Sequence, residues 1–119
     1  MKHLIAGAQA EILAKRFLES QGLRTVTTNY RCRYGEIDII MYDQSQLVFI
    51  EVRFRKQQLY GSAADSVNLH KQQRIARSAS CFLQSHRHRY SSCRFDVIAM
   101  GPALIMHDIE WLRSAFECP

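Results

Sequence analysis

The sequence predicts a single α/β domain spanning residues 1–119, with a mixed β-sheet and helices packed on it. Two observations lead to this class: apolar residues recur at helical spacing in two segments, and β-branched apolar runs fill the segments between and after them. The resulting order is helix, strand, strand, strand, helix, strand, in which a meander is followed by a helical crossover. At 47% hydrophobic and 23% charged residues, the chain has the composition of a folded protein with one core.

The first helix is predicted from about Ile5 to Ser20, because apolar side chains recur there at helical spacing and Gly22 follows as a stop. A strand is expected from Leu23 to Tyr30, where Thr and Val are frequent. Two further strands are predicted at about Glu36–Tyr42 and Leu47–Phe54, joined by a turn at residues 43–45.

The second half of the chain begins with a predicted loop from Gln57 to Asn68, in which Ser66 or Asn68 would cap a second helix. That helix is expected to run to about Ser85, with an apolar stripe on one side. The segment RFDVIAM gives a strand at Cys93–Met100.

The tail from Leu104 is expected to hold a short strand and then a turn of helix near Ile109–Phe116.

Acidic residues interrupt the two central apolar strands. Strict alternation of side chains predicts one shared face in each strand, formed by Glu36, Asp38 and Ile40 in the first and by Phe49, Glu51 and Arg53 in the second. The opposite faces would hold Ile37 and Ile39, and Val48, Ile50 and Val52. An unpaired carboxylate is costly to bury, so acids on adjacent strands indicate a shared divalent cation.

The charge of the chain points to a polyanionic partner. Its formal net charge is +5, and residues 53–93 contain a single acid, Asp65, against many lysines and arginines. Such asymmetry favours nucleic acid over a membrane surface, while a solvated basic helix face is the alternative. No apolar run reaches the length of a membrane span, and without a signal peptide the cytoplasm is the expected location. The cysteines and histidines lack the spacing of zinc ligands.

Four segments occur in a fixed order: GEIDII at 35–40, LVFIEVR at 47–53, HKQQRIARSASCFL at 70–83 and RFDVIA at 94–99. Together they resemble the YraN-like family of small bacterial proteins, and through it the restriction-endonuclease-like PD-(D/E)XK superfamily. In that superfamily an acid lies on one strand and an acid-x-lysine motif on the next; Asp38, Glu51 and Arg53 match these positions. The resemblance implies a restriction-endonuclease-like core. It also extends to archaeal Holliday-junction resolvases, which implies structured or branched DNA as the substrate.

The same resemblance implies a catalytic set of Asp38, Glu51 and Arg53, and a Mg²⁺ or Mn²⁺ site. Asp38 and Glu51 would supply carboxylate oxygens, the backbone carbonyl of Val52 a third oxygen, and Glu11 of the first helix a fourth. Contacts to DNA, more than to RNA, are expected from Arg55, Lys71, Gln72 and Arg74. A homodimer would suit a junction-cutting enzyme, because paired sites then meet paired strands.

Arg53 departs from the lysine of the motif. An arginine keeps the positive charge and can contact a phosphate with two N–H groups, but it cannot act as a general base. Each acid also has an ordinary structural explanation: Asp38 could pair with Arg31 or Arg33, Glu51 with Arg53 or Arg94, and Glu11 with Lys15 one helical turn away. Glu36 and Asp96 are expected to support the structure.

These observations lead to three candidate functions. The first is a metal-dependent endonuclease that cleaves phosphodiester bonds in structured or branched DNA. The second is a catalytically inactive nucleic-acid-binding module of the same fold. The third is an interaction protein whose basic face meets an acidic partner.

Overall fold

The computed structural model describes residues 2–54, 67–85, 89–101 and 108–117, with side chains from residue 7 onward. The elements in chain order are helix α1 (Lys2–Ser20), strands β1 (Arg24–Cys32), β2 (Gly35–Asp43) and β3 (Gln46–Phe54), helix α2 (Leu69–Ser85), and strands β4 (Ser92–Met100) and β5 (Ile109–Phe116). The predicted α/β class and element order are confirmed, with one strand added at the C-terminal end.

The strands form one mixed sheet in the order β1-β2-β3-β4-β5. Neighbouring strands run antiparallel except for β3 and β4, which are parallel. A parallel pair needs a long crossover connection, and helix α2 lies in the connection between these two strands. The sheet is therefore mixed because β1, β2 and β3 follow one another as an antiparallel meander, whereas a helix separates β3 from its parallel neighbour β4.

Each face of the sheet is covered by one helix. Helix α1 contributes three fully buried side chains to the core on its side, Ala10, Ala14 and Leu18. Helix α2 packs on the opposite face, where Phe82 makes edge contacts with Tyr30 and Phe49 at centroid distances of 5.2 and 6.1 Å. The sheet is thus buried on both faces, which explains the nearly continuous apolar runs of β2 and β3.

Helix α2 begins at an asparagine cap. The Oδ1 atom of Asn68 accepts a hydrogen bond of 2.9 Å from the backbone N–H of Lys71, which satisfies one of the free N–H groups at the helix start. Asn68 thus serves as the cap, while the alternative, Ser66, lies outside the described residues. At the end of α1, Gly22 has a positive φ of 98°, and the N–H of Leu23 returns to the carbonyl of Leu18 at 3.1 Å.

The helical turn predicted near Ile109–Phe116 is wrong, because these residues form strand β5. The strand pairs antiparallel with β4: Ile109 lies opposite Met100 at one end, and Phe116 lies opposite Phe95 at the other. It therefore covers an edge of the sheet that would otherwise leave backbone groups unpaired. Its Trp111 packs edge-on against Phe17 of α1 at 5.9 Å. The short strand expected after Leu104 lies outside the described residues up to 107.

Strict alternation also fails within β2. Ile37 and Ile40 both lie in the core on the α2 side, whereas Ile39 lies in the core on the α1 side. The side chains of β2 therefore stop alternating next to Asp38. Regular pairing of β2 with β3 ends at the neighbouring pair, in which Ile39 lies opposite Ile50. In β3 the predicted alternation is confirmed for the apolar residues, with Phe49 on the α2 side and Ile50 on the α1 side.

Candidate active site where two strands diverge

Asp38 lies at the point where β2 and β3 separate. Its Oδ2 atom accepts a 2.8 Å hydrogen bond from the backbone N–H of Val52, which takes the place of a regular strand-to-strand bond. On the other side of Asp38, the neighbouring strand β1 contains Asn29 in a left-handed conformation with φ of 53°. Asparagine adopts this conformation more readily than most residues. The local irregularity leaves the carboxylate of Asp38 facing the cavities on both sides of the sheet.

Three carboxylates meet on the α1 side of this point. One oxygen from each of Glu11, Glu36 and Asp38 lies within 4.8 Å of the others. Helix α1 brings Glu11 over the sheet, and the two-residue spacing of Glu36 and Asp38 directs both acids toward it. The cluster borders a cavity of about 380 Å³ that Glu51 and Val52 also line.

Glu51 joins the cluster from β3. Its side chain is 17% exposed, and it lines both this cavity and a second cavity of about 200 Å³ on the α2 side. Asp38 and Glu36 line the second cavity as well. The four acids therefore form one continuous group, with its two halves open to opposite faces of the sheet.

The crowding of carboxylates changes their proton affinity. Burial, followed by the charge of Asp38, raises the pKa of Glu51 to about 8, although Arg53 and Lys71 oppose the shift. Burial and a hydrogen bond with Asp38 raise the pKa of Glu11 to about 7. In both glutamates burial is the largest cause of the raised pKa, and the neighbouring Asp38 adds to it. A bound cation would compensate the negative charge of these carboxylates.

Basic side chains of α2 border the cavity on that side. Lys71 and Arg74 line it together with Asp38 and Glu51. Arg74 is exposed, and its Nε donates a 3.2 Å hydrogen bond to the backbone carbonyl of Tyr34. Within the described part of the chain, neither Lys71 nor Arg74 forms an ion pair with a carboxylate. Their charge is available for an anionic ligand.

The remaining predicted site residues are arranged less uniformly. Arg53 lies beside Glu51, with Nη1 3.9 Å from Oε1, and is 31% exposed. Val52 lines the cavity on the α1 side. Gln72 is directed away from this group, since its Nε2 donates to the carbonyl of Val67 at 2.9 Å and ties the start of α2 to the preceding segment. Arg55 lies outside the described residues.

One of the ordinary ion pairs that could explain these acids is present, because Arg53 contacts Glu51 at 3.9 Å. Within the described residues, Glu11 and Asp38 do not form the ion pairs that the sequence offered for them. Lys15 pairs with Glu19, with Nζ 3.8 Å from Oε2, and so does not occupy Glu11. Arg31 contacts Glu36 at 3.8 Å instead of Asp38, and that pair is open to solvent.

Arg94 does not neutralise Glu51 either. It binds Asp43 at 2.8 Å and Asp96 at 3.0 Å, and this pairing raises the pKa of Arg94 further against the effect of burial. The structural role expected for Asp96 is thus observed.

Glu36 is the member of the cluster that the sequence placed in a supporting role. One of its carboxylate oxygens lies within 4.8 Å of oxygens of both Glu11 and Asp38. The signal was present in the sequence, because two acids separated by one residue share a face of a strand. Spacing alone does not show which of the two acids, Glu36 or Asp38, would bind a ligand and which would only support the structure.

The donor set has the chemistry of a hard divalent cation site. It consists of carboxylate oxygens on half-buried or exposed side chains, with no sulfur or imidazole ligand among Glu11, Glu36, Asp38 and Glu51. Such oxygen-only sets suit Mg²⁺ or Mn²⁺ better than zinc or copper. These residues therefore fit the implied ion.

Fold and site together define a class: a small α/β protein with one mixed sheet, an acidic cluster where two central strands diverge, and a basic helix beside it. The family model for the uncharacterised protein family UPF0102 matches residues 10–100. The chain belongs to this family, which confirms the predicted YraN-like membership.

Relatives extend the match over nearly the whole chain. A UPF0102 protein of Saccharophagus degradans is 49% identical over 116 residues, covering 97% of this chain and 95% of the relative. A UPF0102 protein of Alcanivorax borkumensis is 46% identical, covering 92% and 90%. One of Stutzerimonas stutzeri is 42% identical and covers 94% of both chains. In the described part of this chain, neither helix is both long and apolar enough to cross a membrane.

Proposed function

We propose that the protein is a metal-dependent endonuclease that cleaves phosphodiester bonds in structured or branched DNA. The observation that carries the proposal is the group of four carboxylates, Glu11, Glu36, Asp38 and Glu51, at the divergence of β2 and β3. Lys71 and Arg74 border the same group, so acidic and basic functions meet in one cavity. This is the combination that metal-assisted cleavage of a phosphate ester requires.

Asp38, Glu51, Glu11 and Glu36 would hold Mg²⁺ or Mn²⁺. When bound, such an ion supplies Lewis-acid activation of water and neutralises charge on the phosphate. The protein contributes the remaining functions. Lys71 and Arg74 attract and orient the phosphate, and the guanidinium of Arg53 adds positive charge next to Glu51. The raised pKa of Glu51, about 8, lets its carboxyl group hold a proton near neutral pH until a cation replaces that proton.

The arrangement of Asp38 on one strand, and of Glu51 and Arg53 on the next, supports membership of the PD-(D/E)XK superfamily. The match to that pattern comes from the sequence, and the antiparallel pairing of β2 with β3 brings the two acids to one cavity. The resemblance to archaeal Holliday-junction resolvases is the reason for naming branched DNA. The cytoplasm is the expected site of action.

An inactive nucleic-acid-binding module is the second candidate function. It is favoured by one specific observation, which is that the motif lysine is replaced by Arg53. Arginine stabilises charge but does not act as a base. This candidate keeps the basic surface of α2 and predicts binding without turnover.

The test is a cleavage assay with labelled four-way junction, flap, duplex and single-stranded DNA, and with duplex RNA, in Mg²⁺ or Mn²⁺. We expect metal-dependent cutting of branched DNA, abolished by EDTA. The variant Glu51→Gln should cut at least about 100-fold more slowly, the scale seen when a charge-stabilising group is removed from an active site. Glu19→Gln removes a carboxylate from the exposed Lys15–Glu19 pair and is the matched control.

Equal cutting by wild type and Glu51→Gln would overturn the nuclease assignment at this site. Binding without cutting, with an affinity that falls steeply as salt rises, would favour the inactive module. Absence of nucleic-acid binding at moderate salt would instead direct attention to an acidic protein partner.

A further inference from the structure

A further cavity, separate from the two that the acids line, lies beside the candidate active site on the α2 side. It has a volume of about 560 Å³, and we call it the Tyr34 groove after the aromatic residue in its wall. Its lining residues are Arg33, Tyr34, Ala76, Arg77, Ser80, Cys81 and Gln84. This volume lies within the range of about 300–1,000 Å³ that is usual for small-molecule sites, so it is large enough for a nucleotide.

The Tyr34 groove adjoins the candidate active site at the turn between β1 and β2. Tyr34 lines the groove, and the next residue, Gly35, lines the cavity that contains Asp38 and Glu51. Arg74 joins the two regions, because it lines the acidic cavity while its Nε binds the Tyr34 carbonyl. The two cavities are therefore neighbours along the same side of α2.

Positive charge follows the same path. Lys71, Arg74 and Arg77 are three residues apart on successive turns of α2, and span about 9 Å along the helix axis. Arg33 adds a fourth cation from the turn. Within the described residues, no carboxylate lies within ion-pair distance of Arg33 or Arg77. A run of unpaired cations beside an acidic centre suits a polyanion whose backbone passes along the helix.

Tyr34 and Arg33 contact each other in this groove. The guanidinium of Arg33 lies 4.8 Å from the centroid of the Tyr34 ring, and its Nη2 donates a 2.6 Å hydrogen bond to the Tyr34 hydroxyl. Tyrosine rings and arginine planes both stack on nucleic-acid bases. A base inside a duplex cannot reach such a pair, because its faces are covered by neighbouring bases. The pair is therefore suited to an unpaired base.

We propose that the Tyr34 groove binds an unpaired segment of a DNA strand, with one base stacked on the Tyr34–Arg33 pair and the backbone passing Arg77 toward Lys71. This inference deepens the proposed function and rests on it for the direction of the strand toward the acidic cluster. It identifies the substrate class as DNA that has a single-stranded portion next to the bond that is cut.

The test measures binding without cleavage. Affinity of the full chain for a short fluorescein-labelled oligothymidylate and for a duplex of equal length is measured by fluorescence anisotropy in EDTA. We expect Tyr34→Ala to weaken single-strand binding about tenfold, the scale of one lost base–aromatic stack, with a much smaller effect on duplex binding. Tyr34→Phe should retain the affinity, because it keeps the ring and therefore also controls for loss of folding.

Two matched controls separate stacking from general effects. Tyr90→Ala removes an exposed tyrosine near the opposite end of β2, where Ser91 binds Ser45, and should leave binding unchanged. Arg77→Ala should weaken binding, whereas Arg113→Ala, on β5 at the far edge of the sheet, should not.

Equal affinities for Tyr34→Ala and Tyr90→Ala would overturn the proposal, and so would equal losses on single-stranded and duplex DNA. A similar loss on single-stranded RNA and DNA would support the stacking site while removing its preference for DNA. The binding measurement in EDTA does not depend on whether the protein cleaves DNA. Failure of Tyr34→Ala to affect binding, with Glu51→Gln still inactive in cleavage, rejects the groove alone. Selective loss of binding in Tyr34→Ala, with no cleavage by the wild type, rejects the nuclease alone.

Discussion

At the scale of single residues, Arg53 bears most directly on the proposed nuclease activity. It lies 3.9 Å from Glu51 on the same face of β3, and its charge lowers the pKa of that carboxyl against the larger effect of burial. An arginine can therefore stabilise negative charge on Glu51 and on a phosphate. Because it stays protonated, it cannot remove a proton from water, so proton removal must depend on other groups.

This role gives a prediction for two substitutions. Arg53→Lys should keep cleavage within about tenfold of wild type, since the positive charge remains, while Arg53→Met should lower the rate about 100-fold or more. Rates are measured under single-turnover conditions on the best substrate of the panel. Arg113→Met, a change at an exposed arginine of β5 at the far edge of the sheet, is the comparison for general loss of charge. Undiminished cleavage by Arg53→Met would show that the position has no part in the reaction.

The site residues were predictable from sequence to different degrees. Asp38 and Glu51 could be identified because a carboxylate within an apolar strand needs a partner, and their strands are adjacent in the chain. The contribution of Glu11 depended on how α1 packs, since at the sequence level Lys15 was an equally good partner. Only the packed structure pairs Lys15 with Glu19 and leaves Glu11 beside Asp38.

At the scale of elements, β5 depends on a buried acid of β4. Asp96 is fully buried and accepts hydrogen bonds from the Nε1 of Trp111 at 3.0 Å and from the backbone N–H of Ser114 at 3.0 Å. Ser114 has a positive φ of 50° near the irregular pairing of β5 with β4. Arg94 supplies the countercharge to Asp96. The carboxylate thus holds the edge strand in a conformation that its backbone alone would not favour.

Removing this carboxylate should loosen the edge of the sheet. We expect Asp96→Ala to lower the free energy of unfolding by about 3–5 kcal/mol, because the buried Arg94 charge loses one of its two carboxylate partners and two buried N–H groups lose their acceptor. Asp43→Ala removes only a 2.8 Å contact to Arg94 from a side chain that is 24% exposed, and should cost about 1 kcal/mol. Urea unfolding followed by Trp111 fluorescence compares the two. Equal losses would contradict the central role of Asp96.

The secondary-structure elements also differ in how well their sequence patterns predict them. Helix α1, helix α2 and strands β1–β4 could be predicted because their apolar patterns determine which side is buried. Strand β5 could not, since Ile109–Phe116 mixes polar and apolar residues and becomes extended by pairing with β4. The change of face beside Asp38 was also hidden, because it arises from a side chain replacing a bond between β2 and β3.

At the scale of the whole molecule, the raised pKa values of Glu51 and Glu11 link stability to pH. Glu51, with a pKa of about 8, and Glu11, with a pKa of about 7, both lie above the ordinary glutamate value of 4.5. Between about pH 4.5 and 8 these two carboxyl groups therefore hold more protons in the folded protein than in the unfolded chain. Their contribution to the free energy of unfolding falls as pH rises through this window, and the loss is complete above the folded-state pKa.

Metal-free wild type should accordingly lose stability relative to Glu51→Gln between about pH 5.5 and 8, by at most about 1.4 kcal/mol per pH unit for this one proton. Taking the difference between the two proteins cancels the contribution of the histidines, which titrate in both.

At pH 8.5, Mg²⁺ should restore the stability of wild type and act weakly on Glu51→Gln, because a cation compensates the charge that the proton no longer neutralises. Glu19→Gln should behave as wild type throughout. Urea titrations at each pH, with EDTA or Mg²⁺, supply the free energies. A difference that stays constant with pH would mean that Glu51 titrates as an ordinary surface acid, and an absence of any Mg²⁺ effect at pH 8.5 would mean that the four carboxylates do not form a cation site.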